Sequence, residues 1–237
     1  MITAAAVCPW PPLLARELTG RSPVVPELRK ACEEAVQRLT ATQPSLIAVV
    51  GPADATRIWD PRSRLDASVF APALRAAGAP DTGAMCDPEL PPSLGLGALL
   101  LDQVGYTGPR LLQAVAEDEP PLRCASLGEA IARGDGGAGL LVMGDGSARR
   151  SARAPGYFDD RAAGFDAETE RALREADLPA LLAIDPVLAR GLLASGRPAW
   201  QVMAGAMAPS APVVSEILYS DDPFGVAYVV AFLASRA

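Results

Sequence analysis

The stretch Leu140-Leu141-Val142-Met143-Gly144-Asp145-Gly146-Ser147-Ala148-Arg149-Arg150-Ser151 decides how this chain reads. Four apolar residues followed by Gly-Asp-Gly-Ser and two arginines describe a buried strand that ends in a tight polar loop. In open α/β sheets ligands sit outside the carboxyl ends of the strands, so this loop is the first candidate site. The segment Ala154-Pro155-Gly156-Tyr157-Phe158-Asp159-Asp160-Arg161 continues it as an extended Pro-Gly stretch with further polar groups.

Upstream of that strand, residues 2 to 8 are almost wholly apolar, as a buried parallel strand requires, and Cys8-Pro9-Trp10-Pro11-Pro12 stops it because proline cannot continue a central ladder. From 26 to 40, Leu28, Ala31, Cys32, Ala35, Val36 and Leu39 recur at spacings of three and four, which predicts a helix with one buried face and Pro26 in its first turn. Residues 45 to 51 form the next apolar run. Strand, helix, strand is a βαβ unit, and the expectation is a parallel pair joined by a right-handed crossover.

Between Pro52 and Pro92 the pattern weakens: Ile58-Trp59 and residues 67 to 70 are candidate short strands among several prolines. Residues 94 to 104 read as a buried helix, 111 to 117 as a short helix, and 122 to 125 as a strand followed by a helix capped by Ser126. Downstream of the loop, Asp166 is expected to cap a helix that runs to about Ala176, Asp185 to start another that ends near Gly196, and Trp200, Val202, Met203, Ala206 and Met207 to mark a helix over 198–208. Residues 213 to 219 and 226 to 232 read as two strands of a hairpin around Ser220-Asp221-Asp222-Pro223-Phe224-Gly225. The expected fold is therefore α/β, a single domain over residues 1–237, with a mostly parallel central sheet flanked by helices and a C-terminal β-hairpin.

Composition bounds the function. The chain has 237 residues, half of them hydrophobic but only 5% aromatic, so its core is built mainly of Ala, Val, Leu and Ile. A net charge of −7 with scattered arginines gives no electrostatic footprint for nucleic acid or an anionic membrane. No run of about 18 apolar residues predicts a membrane span, and no basic residue precedes Arg16 as a signal peptide's first region would require; a cytoplasmic protein is expected. Cys8, Cys32, Cys86 and Cys124 lie far apart, without a CxxC pair, and read as free thiols. Histidine is absent altogether. That removes Ser-His-Asp and Cys-His catalysis and every His-based metal site.

The order of motifs resembles the class III extradiol ring-cleavage dioxygenases of the B-subunit type and the Memo-like proteins. Cys8-Pro9-Trp10-Pro11-Pro12 is similar to the family's His-x-Pro turn, Gly144-Asp145-Gly146-Ser147-Ala148 to its Gly-rich loop ending in Ser-His, and Trp200-Gln201-Val202-Met203-Ala204-Gly205-Ala206-Met207 to its C-terminal Trp-x-x-Met-x-Gly-Ala-Leu segment. The resemblance implies that family's fold and its ferrous site of two histidines and a carboxylate. Those positions fall here at Trp10, within Gly51-Pro52-Ala53-Asp54 and at about Gly196, and the catalytic base falls at Ala148. No metal and no cofactor are expected, and ring cleavage is not the expected activity.

The cleft implied by the resemblance is still polar. Candidate ligand-binding residues are Asp145, Gly146, Ser147, Arg149, Arg150, Tyr157, Trp10 and Cys8. Backbone N–H groups of residues 144 to 147 suit an anion-binding nest, with Arg149 or Arg150 forking onto a carboxylate or phosphate. The plainer alternative pairs these arginines with Asp159, Asp160 or Asp166. Cys8 reads as a packed thiol with no basic neighbour to activate it, Trp10 as the floor of an aromatic pocket or as filling, and Asp221-Asp222 as a solvated hairpin tip. Three functions follow: a metal-free binder of a small anionic or aromatic molecule, a scaffold subunit acting through a homo-oligomer such as a dimer or a partner interface, and a metal-independent hydrolase or isomerase using Asp145, Tyr157 or Arg149.

Overall fold

Strand β1 (Ile2–Cys8) alternates the faces of a sheet that is covered on both sides, and this double burial explains its unbroken apolar sequence. The computed structural model describes residues 1–15, 24–63, 65, 90–134, 136–210 and 212–235. Chain order continues with α1 (Pro26–Ala41), β2 (Leu46–Ala53), β3 (Arg57–Trp59), α2 (Pro92–Gln103), β4 (Arg110–Ala116), α3 (Pro121–Ala132) and β5 (Ala138–Met143). After β5 come α4 (Arg161–Arg174), α5 (Leu178–Leu182), α6 (Pro186–Gly191), α7 (Arg197–Met207), β6 (Val213–Asp221) and β7 (Tyr228–Ser235). The expected strand over residues 67 to 70 lies outside the described residues.

The seven strands form one mixed sheet in the order β3-β4-β2-β5-β1-β7-β6. The inner four, β4, β2, β5 and β1, run parallel, while β3 and the β6–β7 hairpin are antiparallel additions at the two edges. Alternation along the strands divides the core. Ala4, Ala6, Cys8, Ile47, Val49, Leu141 and Met143 meet Leu28, Cys32 and Leu39 of α1 and Leu94 and Leu101 of α2. Ala5, Val7, Ala48, Val50, Leu140 and Val142 meet α3, α4, α5 and α7 on the other face. Each large side chain fully buried in these layers contributes about 1.5–3 kcal/mol. Among the described residues no helix is long and apolar enough to cross a membrane.

Several elements differ from the sequence expectation. The βαβ unit is real, but β5 lies between β1 and β2, so the two strands are parallel without being paired. Apolar patterning fixes that a strand is buried and leaves its neighbour open. Residues 111 to 117 are not a helix but most of β4. Their Leu and Ala content favours a helix only weakly, and pairing with β2 (Val49 opposite Leu112) overrides it. Residues 122 to 125 are not a strand but the first turn of α3, entered through Pro120 and Pro121, and Leu122 is 83% exposed on its outer side. Ser126 does not cap that helix; its hydroxyl donates to the Leu122 carbonyl one turn back. Asp166 does not cap α4, which begins five residues earlier, at Arg161. Asp185 does cap α6, accepting from the Val187 N–H, but the helix ends at Gly191.

Helix α7 is buried on every side, as its apolar Trp200–Met207 segment demands. It crosses α3 backbone to backbone. A Cβ on Gly128 would run into the Val202 carbonyl and the Ala206 amide, and one on Gly205 would meet the Ala125 backbone. Gly164, exposed at the end of the first turn of α4, has no atom of a described residue within 4 Å of its Cβ position. The same substitution therefore has opposite signs at the two places. Gly128→Ala should lose on the order of 2 kcal/mol in urea denaturation despite its better helix propensity, and Gly164→Ala should gain about 0.5–1 kcal/mol.

Candidate functional site

Beyond the carboxyl ends of β1 and β5 the chain ties itself together. The Gly144 N–H donates to the Cys8 carbonyl at 2.9 Å, the Trp10 N–H to Asp145 Oδ1 at 2.8 Å, and the Gly196 N–H to the Asp145 carbonyl at 2.9 Å. Gly144 and Gly196 lie so close that a Cβ on Gly144 would sit 2.5 Å from the Gly196 Cα. Only glycine permits that crossing. Burial pushes the Asp145 carboxyl up to about 7, and the Trp10 N–H opposes the shift without cancelling it.

The rest of the Gly-Asp-Gly-Ser loop is committed internally. The Gly146 N–H donates to the Ala227 carbonyl, and the Ala227 N–H returns to the Ser147 carbonyl. Both the amide and the hydroxyl of the fully buried Ser147 donate to the carboxylate of Asp166. The Ala148 and Arg150 amides go to the Leu192 and Gly225 carbonyls. The expected anion nest is therefore not formed: these N–H groups hold the loop against the β6–β7 turn, α4 and the α6–α7 turn.

Arg150 donates from Nε to Asp222 Oδ2 at 2.7 Å and lies 3.8 Å from Asp166 Oδ2, so it pins the hairpin tip to α4. Asp222 is thus ion-paired rather than merely solvated. Burial raises the Asp166 carboxyl above its usual range, against the Ser147 hydrogen bonds and Arg150. Arg149 keeps Nε buried without a hydrogen-bond partner among the described residues. Tyr157 is not in a cleft. It stands 75% exposed at φ 60°, with Phe158 beside it at 63%. Cys8 is buried and hydrogen-bonds with Cys32; that bond, together with burial, raises the Cys32 thiol well above its ordinary value. Among the described residues Cys8, Cys32 and Cys124 are free thiols.

Of the sequence candidates, Trp10 alone lines a cavity at these strand ends. This cavity, about 420 Å³, opens beyond the ends of β1, β2 and β4, among Trp10, Asp54, Arg57, Trp59, Pro91 and Glu117. Its size suits a small-molecule site. Trp10 donates from Nε1 to Ser195 Oγ at 3.1 Å, which fixes the indole plane. Across the cavity the Arg57 guanidinium lies 3.6 Å over the Trp59 ring and makes no hydrogen bond or ion pair with any described residue. Trp59 Nε1 is buried without a hydrogen-bond partner among the described residues. Arg57, Trp59, Asp54 and Glu117 were missed as site residues. Applying the strand-end rule to β2 points to Asp54, but reading 111 to 117 as a helix hid the strand end that carries Glu117.

The resemblance also implies iron, and the side chains present do not fit it. Trp10 stands at one ligand position with its indole nitrogen donating to Ser195, Gly196 at another is packed under the Trp200 ring, and Ala148 has no proton to move. Among the described residues no three His, Cys, Asp or Glu side chains converge on a point.

No family model matches the chain, and no curated protein does. Among solved structures, the crystal structure of an uncharacterized protein, JW3007, from Escherichia coli K12 superposes with a TM-score of 0.55 at 15% identity, covering 98% of this chain and 99% of that one. The likeness is one of fold over the full length.

Asp145 sets a pH dependence. Its folded pKa lies above the unfolded carboxylate value, so the stabilisation is complete below about pH 4 and is lost as pH rises through about 7. Asp145→Asn keeps the acceptor for Trp10 without the charge. Because Asp145 retains slight exposure, the variant should gain on the order of 2 kcal/mol over the parent between pH 4 and pH 8 in urea melts. Parallel pH profiles would remove Asp145 as the titrating group.

Proposed function

We propose that the protein binds a small aromatic or anionic molecule in the Trp10–Trp59 cavity, as a descendant of the extradiol dioxygenase fold that lacks the iron site. The observation that carries this reading is the Arg57 guanidinium, unpaired among the described residues and stacked on Trp59 at the wall of a cavity beyond the strand ends. A stacked guanidinium is preorganised to fork onto a carboxylate, and two indoles with Pro91 and Pro92 offer flat apolar surface to a ring. The motif order in the sequence supports the family reading, and the full-length likeness of fold to JW3007 is compatible with it. The acidic surface and the absence of a membrane-crossing helix among the described residues agree with a cytoplasmic binder.

Two of the three tryptophans line the cavity, so binding is read directly by fluorescence. Titration with benzoate and hydroxybenzoates should quench emission to saturation. Arg57→Ala should weaken that binding about tenfold, equivalent to ~1.4 kcal/mol, and Trp59→Leu should remove most of the signal change. Absence of saturable quenching, or an unchanged affinity in Arg57→Ala, would sink the assignment.

A second reading, an assembly subunit, is favoured by Tyr157 and Phe158, adjacent exposed aromatics next to the 46% exposed Leu193. Light scattering of the parent should then show a dimer or larger species that the pair Tyr157→Ser and Phe158→Ser converts to monomer. A monomeric parent eliminates this reading.

A further inference from the structure

Arg197, the first residue of α7, is only 1% exposed, yet its guanidinium meets only uncharged groups. Nη1 donates to the Glu119 carbonyl at 2.6 Å and to Gln201 Oε1 at 3.0 Å, and Nη2 donates to the Glu117 carbonyl. The Glu119 carboxylate is turned away and accepts from the Thr56 hydroxyl. No carboxylate of a described residue stands within ion-pair distance of Arg197. A buried cation hydrogen-bonded but not neutralised keeps a field that a bound anion would satisfy.

That field has an outlet. Arg197 lines a second cavity, of about 120 Å³, together with Arg190, Leu193, Ser195, Pro198 and Glu117. Arg190, in the last turn of α6, makes no hydrogen bond or ion pair with any described residue. Ser195 Oγ already accepts from Trp10 Nε1, so its own proton is left to donate. The opening turn of α7 has no side-chain cap and adds the positive end of an 11-residue helix. Against two guanidiniums, the one carboxylate of the lining is Glu117, at the exposed rim. The cavity is too small for a ring and has room for a compact polar group.

We propose that this cavity is a binding site for a tetrahedral oxyanion, either free inorganic phosphate or the phosphate of a larger molecule. Arg190 and Ser195 contact the anion, and Arg197 supplies fixed positive charge beneath it. The site stands apart from the Trp10–Trp59 cavity and does not depend on its function. Glu117 lines both cavities and Trp10 bonds to Ser195, so a phosphorylated molecule could span the two. Arg190 also suits the carboxyl end of α6 electrostatically. That structural role predicts a stability change independent of phosphate, which the test separates.

The full chain is titrated with inorganic phosphate at constant ionic strength, chloride compensating, and the unfolding temperature is followed. The expected result is a saturable rise with phosphate. Arg190→Gln should weaken the apparent affinity about tenfold, Ser195→Ala about threefold, and Arg57→Ala not at all. Phenyl phosphate binding more tightly than phosphate, with the gain lost in Arg57→Ala, assigns the oxyanion to a larger ligand; equal affinity assigns it to the free ion. Equal effects of phosphate and chloride, or an Arg190→Gln protein that responds as the parent does, would overturn the proposal.

Discussion

The hydrogen bond from the Trp10 amide to the Asp145 carboxylate joins the first turn beyond β1 to the loop beyond β5, and the surrounding architecture depends on it. The two strands are paired in parallel and point the same way, so their exits must diverge without leaving buried amides unpaired. The chain meets this need three times within a few residues, through Gly144 to Cys8, Trp10 to Asp145 and Gly196 to Asp145. The bond to Asp145 has a cost, because a carboxylate in so dry a position is held near its protonation midpoint at neutral pH. In return the Trp10 indole is fixed between two cavities.

This knot also divides the polar residues into two groups. Ser147, Asp166, Arg150 and Asp222 form a connected set that fastens α4, the loop and the hairpin tip to one another. They are bonded to one another, and they act as structure. Arg57 and Arg190 keep their guanidiniums unpaired among the described residues, beside cavities. Arginine richness by itself does not separate the two groups; only the partners do.

Much of the fold was legible because it rests on local periodicity. The buried runs of β1, β2 and β5, the stripe of α1, the apolar α7 and the hairpin each carry their signal within a dozen residues. Residues 111–117, most of β4, and 122–125, the first turn of α3, were read in the wrong type because Leu- and Ala-containing segments of seven and four residues satisfy both periods, while the remainder of α3 was read as a helix. Pairing with β2 decided the first and the Pro120-Pro121 entry the second. Of the residues that line the Trp10–Trp59 cavity, Trp10 alone was a sequence candidate, while Asp145, also a candidate, holds the Trp10 amide from the end of β5. Arg57 and Trp59 lie on an edge strand of only three residues, too short for any pattern.

By itself the sequence determined that this is an α/β protein with a parallel core, a terminal hairpin and no imidazole chemistry, because burial and composition are properties of segments. The tertiary structure decided that β5 separates β1 from β2, that the amides of Gly144, Gly146 and Ser147 are spent on the protein, and that Arg197 is buried with no carboxylate of a described residue within ion-pair distance. Those are relations between residues up to a hundred or more positions apart, and chain folding alone sets which donor meets which acceptor.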